Sequence, residues 1–214
     1  MPWFYYVAVV LVRGLFKLLT RCRVNGGENI PPRGPLLIVA NHLNLADPPL
    51  LGVRLKRRVI FMAKKELFRP RLGGYFVRGF GAFPVQRGQL DRQAMRQAYR
   101  VLAEGRALAM FPEGTRSLTG KLQPGLPGSA LVALRSGAPI LPVGIFGTEK
   151  IKGVAWIWHR PRITVNVGPS FHLPPASRRP TRAELNGLTD FIMRRIAELL
   201  PAEYRGDYGD KESR

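Results

Sequence analysis

The stretch Leu36-Leu37-Ile38-Val39-Ala40-Asn41-His42-Leu43-Asn44-Leu45-Ala46-Asp47-Pro48 decides the fold. Five consecutive apolar residues, Leu36 to Ala40, have the length and composition of a buried strand. Asp47-Pro48 reads as a helix start, with Asp at the N-cap and Pro at the first helical position. Strand, short loop and helix form the repeating unit of α/β folds, which place their ligands in the loops that leave the strands. His42 opens this loop and Asp47 closes it. Over five residues the Asp47 carboxylate can fold back to the imidazole, hold one ring nitrogen and raise the basicity of the other. A histidine so held can take a proton from a hydroxyl near neutral pH. The plainer reading makes Asp47 only an N-cap and His42 only a loop histidine.

Outward from this stretch, short apolar runs alternate with helical patterns. Val59–Ala63, Ala82–Val85, Ala107–Phe111, Ile140–Ile145 and Ile163–Val167 read as strands. Pro142 lies inside one of them and points to a sheet edge or a bulge there. Asp91–Glu104 has helical spacing and ends at Gly105, and Ser129–Arg135 stops at Gly137. Thr181 and Glu184 fit a capping box ahead of an apolar face formed by Leu185, Leu188, Ile192, Ile196 and Leu199. Strands alternating with helices predict an α/β fold, a central mixed sheet flanked by helices.

Three further segments carry chemistry. Phe111-Pro112-Glu113-Gly114-Thr115-Arg116-Ser117 follows a strand and offers a tight turn, a hydroxyl and a guanidinium. That set suits a phosphate, since Arg can bind it with two parallel hydrogen bonds. A surface turn with a solvated Arg is the plainer alternative. Gly81-Ala82-Phe83-Pro84-Val85-Gln86-Arg87 is a short strand ending on a cation, and Ala138 to Ile145 is an apolar strand able to line an acyl groove or to form ordinary core.

Together the four segments resemble, in order and spacing, the glycerolipid acyltransferase family, whose best-known members act on 1-acylglycerol 3-phosphate. The resemblance spans roughly Ile38 to Thr148, and Ala63-Lys64-Lys65-Glu66-Leu67-Phe68 is similar to the family as well. It implies that His42 deprotonates the acceptor's free hydroxyl and that Asp47 orients His42. Glu113, Gly114, Thr115 and Arg116, with Arg87, would bind the glycerol phosphate, joined by Lys64 or Lys65. The acyl donor would be acyl-CoA or acyl carrier protein, a co-substrate, with no cofactor. The product would be phosphatidic acid. One departure is Gly125-Leu126-Pro127-Gly128, where family members often carry a Lys just before the Pro-Gly.

Nothing else in the chain competes as a catalytic group. No G-x-S-x-G elbow occurs. His159 and His172 have no partner at metal-ligand spacing, so no metal is expected. The single cysteine, Cys22, cannot form an intrachain disulfide; Arg21 and Arg23 beside it favour the thiolate, but at the end of the membrane-like helix it is taken as inert. Trp156 and Trp158 fit either a core or an interfacial role.

The chain has 214 residues, enough for one full core. Its 34 Lys and Arg against 14 Asp and Glu give +20, which calls for an anionic partner. Trp3 to Val12 is wholly apolar or aromatic and about 15 Å long as a helix, roughly half the hydrocarbon thickness, which leaves spanning and dipping both open and favours dipping. It lacks the flanks of a secretory signal. It reads as a helix dipping into one leaflet, followed by Arg13, Lys17, Arg21 and Arg23 at the headgroups. Residues 1–24 are therefore expected to form a membrane-associated helix and residues 25–214 the acyltransferase domain, with Pro31, Pro32, Gly34 and Pro35 between helix and body. Arg54 to Arg78 holds nine Lys or Arg and one acid, which suits an anionic membrane. The expected place is the cell membrane, peripheral or monotopic, with the active site facing the cytoplasm. The rival readings are a same-family enzyme with another lysolipid or glycerol 3-phosphate as acceptor, and a non-catalytic basic protein binding membrane or nucleic acid. No nucleic-acid motif appears, so the chain is expected not to bind nucleic acid.

Overall fold

The computed structural model describes residues 2–69, 71–86, 91–174 and 180–209. In chain order its elements are α1 (Pro2–Leu19), β1 (Arg21–Asn25), β2 (Leu36–Ala40), α2 (Asp47–Arg54), β3 (Val59–Lys64), α3 (Arg71–Gly79), β4 (Ala82–Val85), α4 (Arg92–Ala103) and β5 (Ala107–Met110). They continue with α5 (Gly128–Ser136), β6 (Ile140–Phe146), α6 (Trp156–His159), β7 (Arg162–Val167) and α7 (Arg182–Ala197). The strands form one seven-stranded sheet in the order β1-β7-β6-β2-β5-β3-β4. β6, β2, β5, β3 and β4 run parallel, and β7 turns back antiparallel to β6 with β1 parallel beside it. The sheet is mixed, as expected.

Alternation along β2 splits its side chains between two cores. Leu37 and Val39 face the layer of α4, α5 and α7, among Met95, Ala130, Val132 and Ile192. Leu36, Ile38 and Ala40 face the other side, with Leu50 and Leu51 of α2 and Phe16 of α1. The whole strand is buried, which explains its unbroken apolar run. Asp91 caps α4 by accepting from the amides of Gln93 and Ala94. The capping box of Thr181 and Glu184 is present at the start of α7.

Three expectations are corrected. β1 was not anticipated: Arg-Cys-Arg-Val-Asn carries charge at alternate positions because it is an edge strand with one face in water. The expected boundary between residues 24 and 25 falls inside this strand, so the Pro31–Pro35 segment is a loop within the fold. The Arg57 guanidinium fastens that loop through the carbonyls of Pro31 and Gly34. Second, Pro142 is not at an edge, since β6 lies between β7 and β2. Its missing N–H falls where the pairing slips. Val143 faces Val167 and Ile140 faces Phe171, so three residues on one side oppose two on the other. Third, Asp47 is not the N-cap of α2; Ala46 is, and it makes no side-chain cap bond. The Asp47 carboxylate is turned back into the preceding loop, where stronger donors claim it.

α1 packs one stripe, including Ala8 and Phe16, on the body, and the Arg13 guanidinium donates to the Val53 carbonyl. Val7, Val10, Leu11, Leu15 and Leu18 stay exposed. Among the described residues no helix is long and apolar enough to cross a membrane.

Gly144 of β6 shows how closely the sheet meets the segment after α7. A Cβ there would stand 2.8 Å from the Leu199 carbonyl oxygen and 2.9 Å from its Cβ. Gly144→Ala should therefore destabilise the fold by about 1–3 kcal/mol, the usual cost of overpacking. Denaturant unfolding followed by circular dichroism checks it.

Candidate active site

The parallel strands bring the chemistry-bearing segments to one edge. β2, β5, β3 and β4 are consecutive in the sheet and all leave at their C-terminal ends. The loop of His42 leaves β2, the turn of Glu113 to Arg116 leaves β5, Lys64 and Lys65 leave β3, and Gln86 leaves β4. Arg87 lies outside the described residues.

Asp47 organises the first loop. Its Oδ2 stands 2.8 Å from His42 Nδ1 and accepts the backbone N–H groups of Leu43 and Asn44, both at 2.7 Å. His42 and Asp47 are both buried. A carboxylate oxygen has only lone pairs to offer, so Nδ1 carries the proton and the lone pair sits on Nε2. The rest of His42 is fixed too. Its amide donates to Glu113 Oε1 at 2.7 Å, its carbonyl accepts from the Ser117 amide at 2.8 Å, and its ring stacks on Phe111 with centroids 4.2 Å apart. Nε2 of His42 makes no hydrogen bond with any described residue. Asn41 fastens the loop to the sheet: its side chain donates to the Ile145 carbonyl and accepts the Ile145 amide, both at 2.7 Å.

Glu113 sits elsewhere than a ligand-binding carboxylate would. It is buried, with Oε1 taken by His42 and Oε2 accepting the backbone and side-chain N–H groups of Gln123 at 3.0 and 3.2 Å. Burial pushes its pKa up to about 7, against the pull of those donors and with a smaller push from Asp47. It braces His42 against the 117–123 loop. Gly114 turns the chain in the left-handed region, at φ 69°, and a Cβ there would meet Leu126 at 2.5 Å. Past that turn Thr115 and Arg116 are exposed, and the Arg116 guanidinium has no hydrogen bond or ion pair with any described residue. Lys64 is half-exposed, with Glu66 at 3.9 Å, and Lys65 borders a small cleft with Gln86 and Asp91.

Beside Phe111 opens a cavity of about 600 Å³, lined by Met62, Met95, Met110, Pro112 and Leu126. The strand Ala138–Ile145, read as a possible groove wall, is absent from that lining. It is the buried middle of the sheet. Phe111, Asn41, Ser117 and Gln123 were given no role by the sequence reading. Asn41 and Phe111 at least lay inside the quoted motifs, whereas nothing marks Gln123. Cys22 is half-buried in β1, and burial raises its thiol pKa against an opposing pull from Arg54.

Comparison with known proteins bears on the fold and the family. The family model described as acyltransferase matches residues 21–146. The 1-acyl-sn-glycerol-3-phosphate acyltransferase of Bacillus subtilis is 29% identical over 178 residues, 83% of this chain and 87% of that protein. The enzyme of the same name from Streptococcus pneumoniae is 31% identical over 169 residues, 78% of this chain and 61% of its own length. The crystal structure of the 1-acyl-sn-glycerophosphate acyltransferase of Thermotoga maritima superposes with a TM-score of 0.69 at 26% identity, covering 91% of this chain and 79% of that one.

Fold and comparisons together define an O-acyltransferase built on a mixed α/β sheet. The chain belongs to the acyltransferase family, whose model covers more than half of it.

Glu113 sets a pH dependence of stability. The folded chain keeps its proton to about pH 7, whereas a glutamate of ordinary pKa, 4.5, has already released it. Raising the pH through that window therefore removes stability, because the unfolded state loses the proton first. In Glu113→Gln this component is absent. The gap in unfolding free energy between variant and wild type should move in the variant's favour from pH 4.5 to pH 7, measured by denaturant titration across that range.

Proposed function

We propose that the protein transfers a fatty acyl group from acyl-CoA or acyl carrier protein to the free sn-2 hydroxyl of 1-acylglycerol 3-phosphate, forming phosphatidic acid. The observation that carries this reading is the His42–Asp47 pair, which leaves Nε2 of His42 without a hydrogen bond to any described residue, together with Arg116 on the turn after β5, exposed and unpaired among the described residues. Nε2 takes the hydroxyl proton as the acceptor oxygen attacks the thioester carbonyl carbon. Asp47 steadies the imidazolium that results. The tetrahedral adduct then collapses, the carbon–sulfur bond breaks, and the thiolate leaves with the proton from Nε2. No enzyme nucleophile or cofactor takes part, and the donor enters as a co-substrate.

Arg116, with Thr115 and the backbone at Gly114, binds the acceptor's phosphate, and Arg87, Lys64 and Lys65 add positive charge around it. Glu113 supports this site from below. The acceptor is a membrane lipid, so the enzyme works at an anionic bilayer surface, on the cytoplasmic face of the cell membrane. The exposed apolar stripe of α1, Val7, Leu11, Leu15 and Leu18, supports that placement, as does the net charge of +20. The relatives named above, both 1-acyl-sn-glycerol-3-phosphate acyltransferases, favour 1-acylglycerol 3-phosphate over other acceptors.

Two substitutions test the reading. His42→Ala should lower turnover by about two to four orders of magnitude, the range for losing a general base, with the fold retained. Near-normal turnover in a steady-state assay with labelled acyl donor and 1-acylglycerol 3-phosphate would refute the mechanism. Arg116→Lys keeps the charge and loses the fork. It should raise KM for the phosphorylated acceptor about tenfold, the cost of one lost charge-assisted hydrogen bond, and leave KM for the thioester near wild type. An equal rise for both substrates would place Arg116 in a structural role.

A further inference from the structure

β6 ends at Phe146 on the edge where His42 lies, and the chain does not return to the sheet until Arg162. The excursion between them ends in a single helical turn, α6. Its side chains face the wrong way for core packing: Trp158 is 87% exposed and Val154 79%, with Ile157 also exposed. From residue 149 to residue 162 the chain carries four cations, Lys150, Lys152, Arg160 and Arg162, and one acid. That acid, Glu149, is turned inward, where its carboxylate accepts the Gly147 amide and the Tyr204 hydroxyl. The outer surface of the excursion is therefore apolar and aromatic, bordered by positive charge alone.

Its position is fixed at both ends. The Asn44 side chain, two residues from His42, donates to the Ile151 carbonyl at 3.0 Å. The Arg160 guanidinium donates to the Lys17 carbonyl at 3.2 Å, at the end of α1 beside exposed Leu18. Leu45, itself exposed, belongs to the catalytic loop that Asn44 holds. Exposed apolar side chains thus lie on three segments that these two hydrogen bonds tie together.

We infer that residues 150–160 form a second membrane-contacting element, which seats Val154, Ile157 and Trp158 in the headgroup region of an anionic bilayer and delivers the lipid acceptor to His42. The inference rests on the reading above, that the acceptor is a membrane lipid. A large aromatic flanked by cations matches this partner: the indole favours the interface and each cation meets lipid phosphate. A second copy of the chain is a poor occupant, because two-fold pairing would set the same four cations against each other.

The full chain offers a direct probe, since its tryptophans are Trp3, Trp156 and Trp158. Trp3→Phe with Trp156→Phe leaves Trp158 as the reporter. On vesicles of phosphatidylcholine and phosphatidylglycerol its emission should shift to the blue and be quenched by lipids brominated near the headgroup. In the otherwise unchanged protein, Trp158→Ala should weaken vesicle binding at least about tenfold, as expected for withdrawing part of an indole from apolar surroundings. The same variant should keep its activity on acceptor dispersed in detergent. Vesicle binding measured by sedimentation separates the two ideas. If the chain binds vesicles while Trp158 emission stays that of an exposed indole and Trp158→Ala binds as wild type, the inference is overturned and the membrane reading stands. If the chain does not sediment with vesicles, both fall. A blue shift on adding acidic acyl carrier protein, with none on vesicles, overturns the inference in favour of a protein-docking surface.

Discussion

One carboxylate oxygen arranges the loop between β2 and α2. Asp47 Oδ2 receives the His42 ring and two successive backbone amides, Leu43 and Asn44. In a buried site, donors of this kind are costly when unpaired and valuable when paired with a charge. Three of them converging on one atom define a single loop geometry, and the imidazole orientation follows from it. The five-residue spacing between His42 and Asp47 is thereby a structural requirement, because a shorter loop could not bring two amides and the ring to the same oxygen.

The sheet multiplies the effect of that loop. Parallel neighbours deliver their C-terminal ends to one edge, so segments far apart in the chain become adjacent without long connections. His42 and Glu113 are 71 residues apart and share a hydrogen bond of 2.7 Å. Asn41 and Ile145, 104 residues apart, exchange two. The first bond locks two loops together and the second pair ties a loop to a strand already held in register by the core, so the site is fixed by hydrogen bonds between segments that the sheet places side by side.

Buried strands announced themselves as apolar runs, and helix starts by their caps. The sequence was less legible where a signal depends on what lies across the fold. β1 reads as the cationic end of the N-terminal helix because its alternate charges face water, and only pairing with β7 makes it a strand. Pro142 signalled an edge or a bulge, and the fold decides for the bulge: the missing N–H is accommodated by a slip in the facing chain, which no local pattern encodes. Asp47 looked like a cap since caps and loop hubs use the same residue types. Of the site, His42, Asp47 and the Gly114 turn were visible as motif residues. The brace from Gln123 was invisible, for a glutamine ten residues downstream of Glu113 has no pattern to betray it.

The Glu113-to-Arg116 segment shows why that brace matters for charge. Four residues hold an acid and a base, and in an exposed turn the two would pair and cancel. Here the left-handed step at Gly114 separates them. Glu113 points inward and exchanges its water for three N–H donors, from His42 and Gln123. Those donors soften the cost of burying it, and the upward shift of its pKa records the part they do not offset. Arg116 points outward, left with no carboxylate among the described residues. An anion arriving there meets a full positive charge that no internal partner has to release first. The segment thus keeps its acid inside the fold and its base in water, and the glycine between them enforces the division.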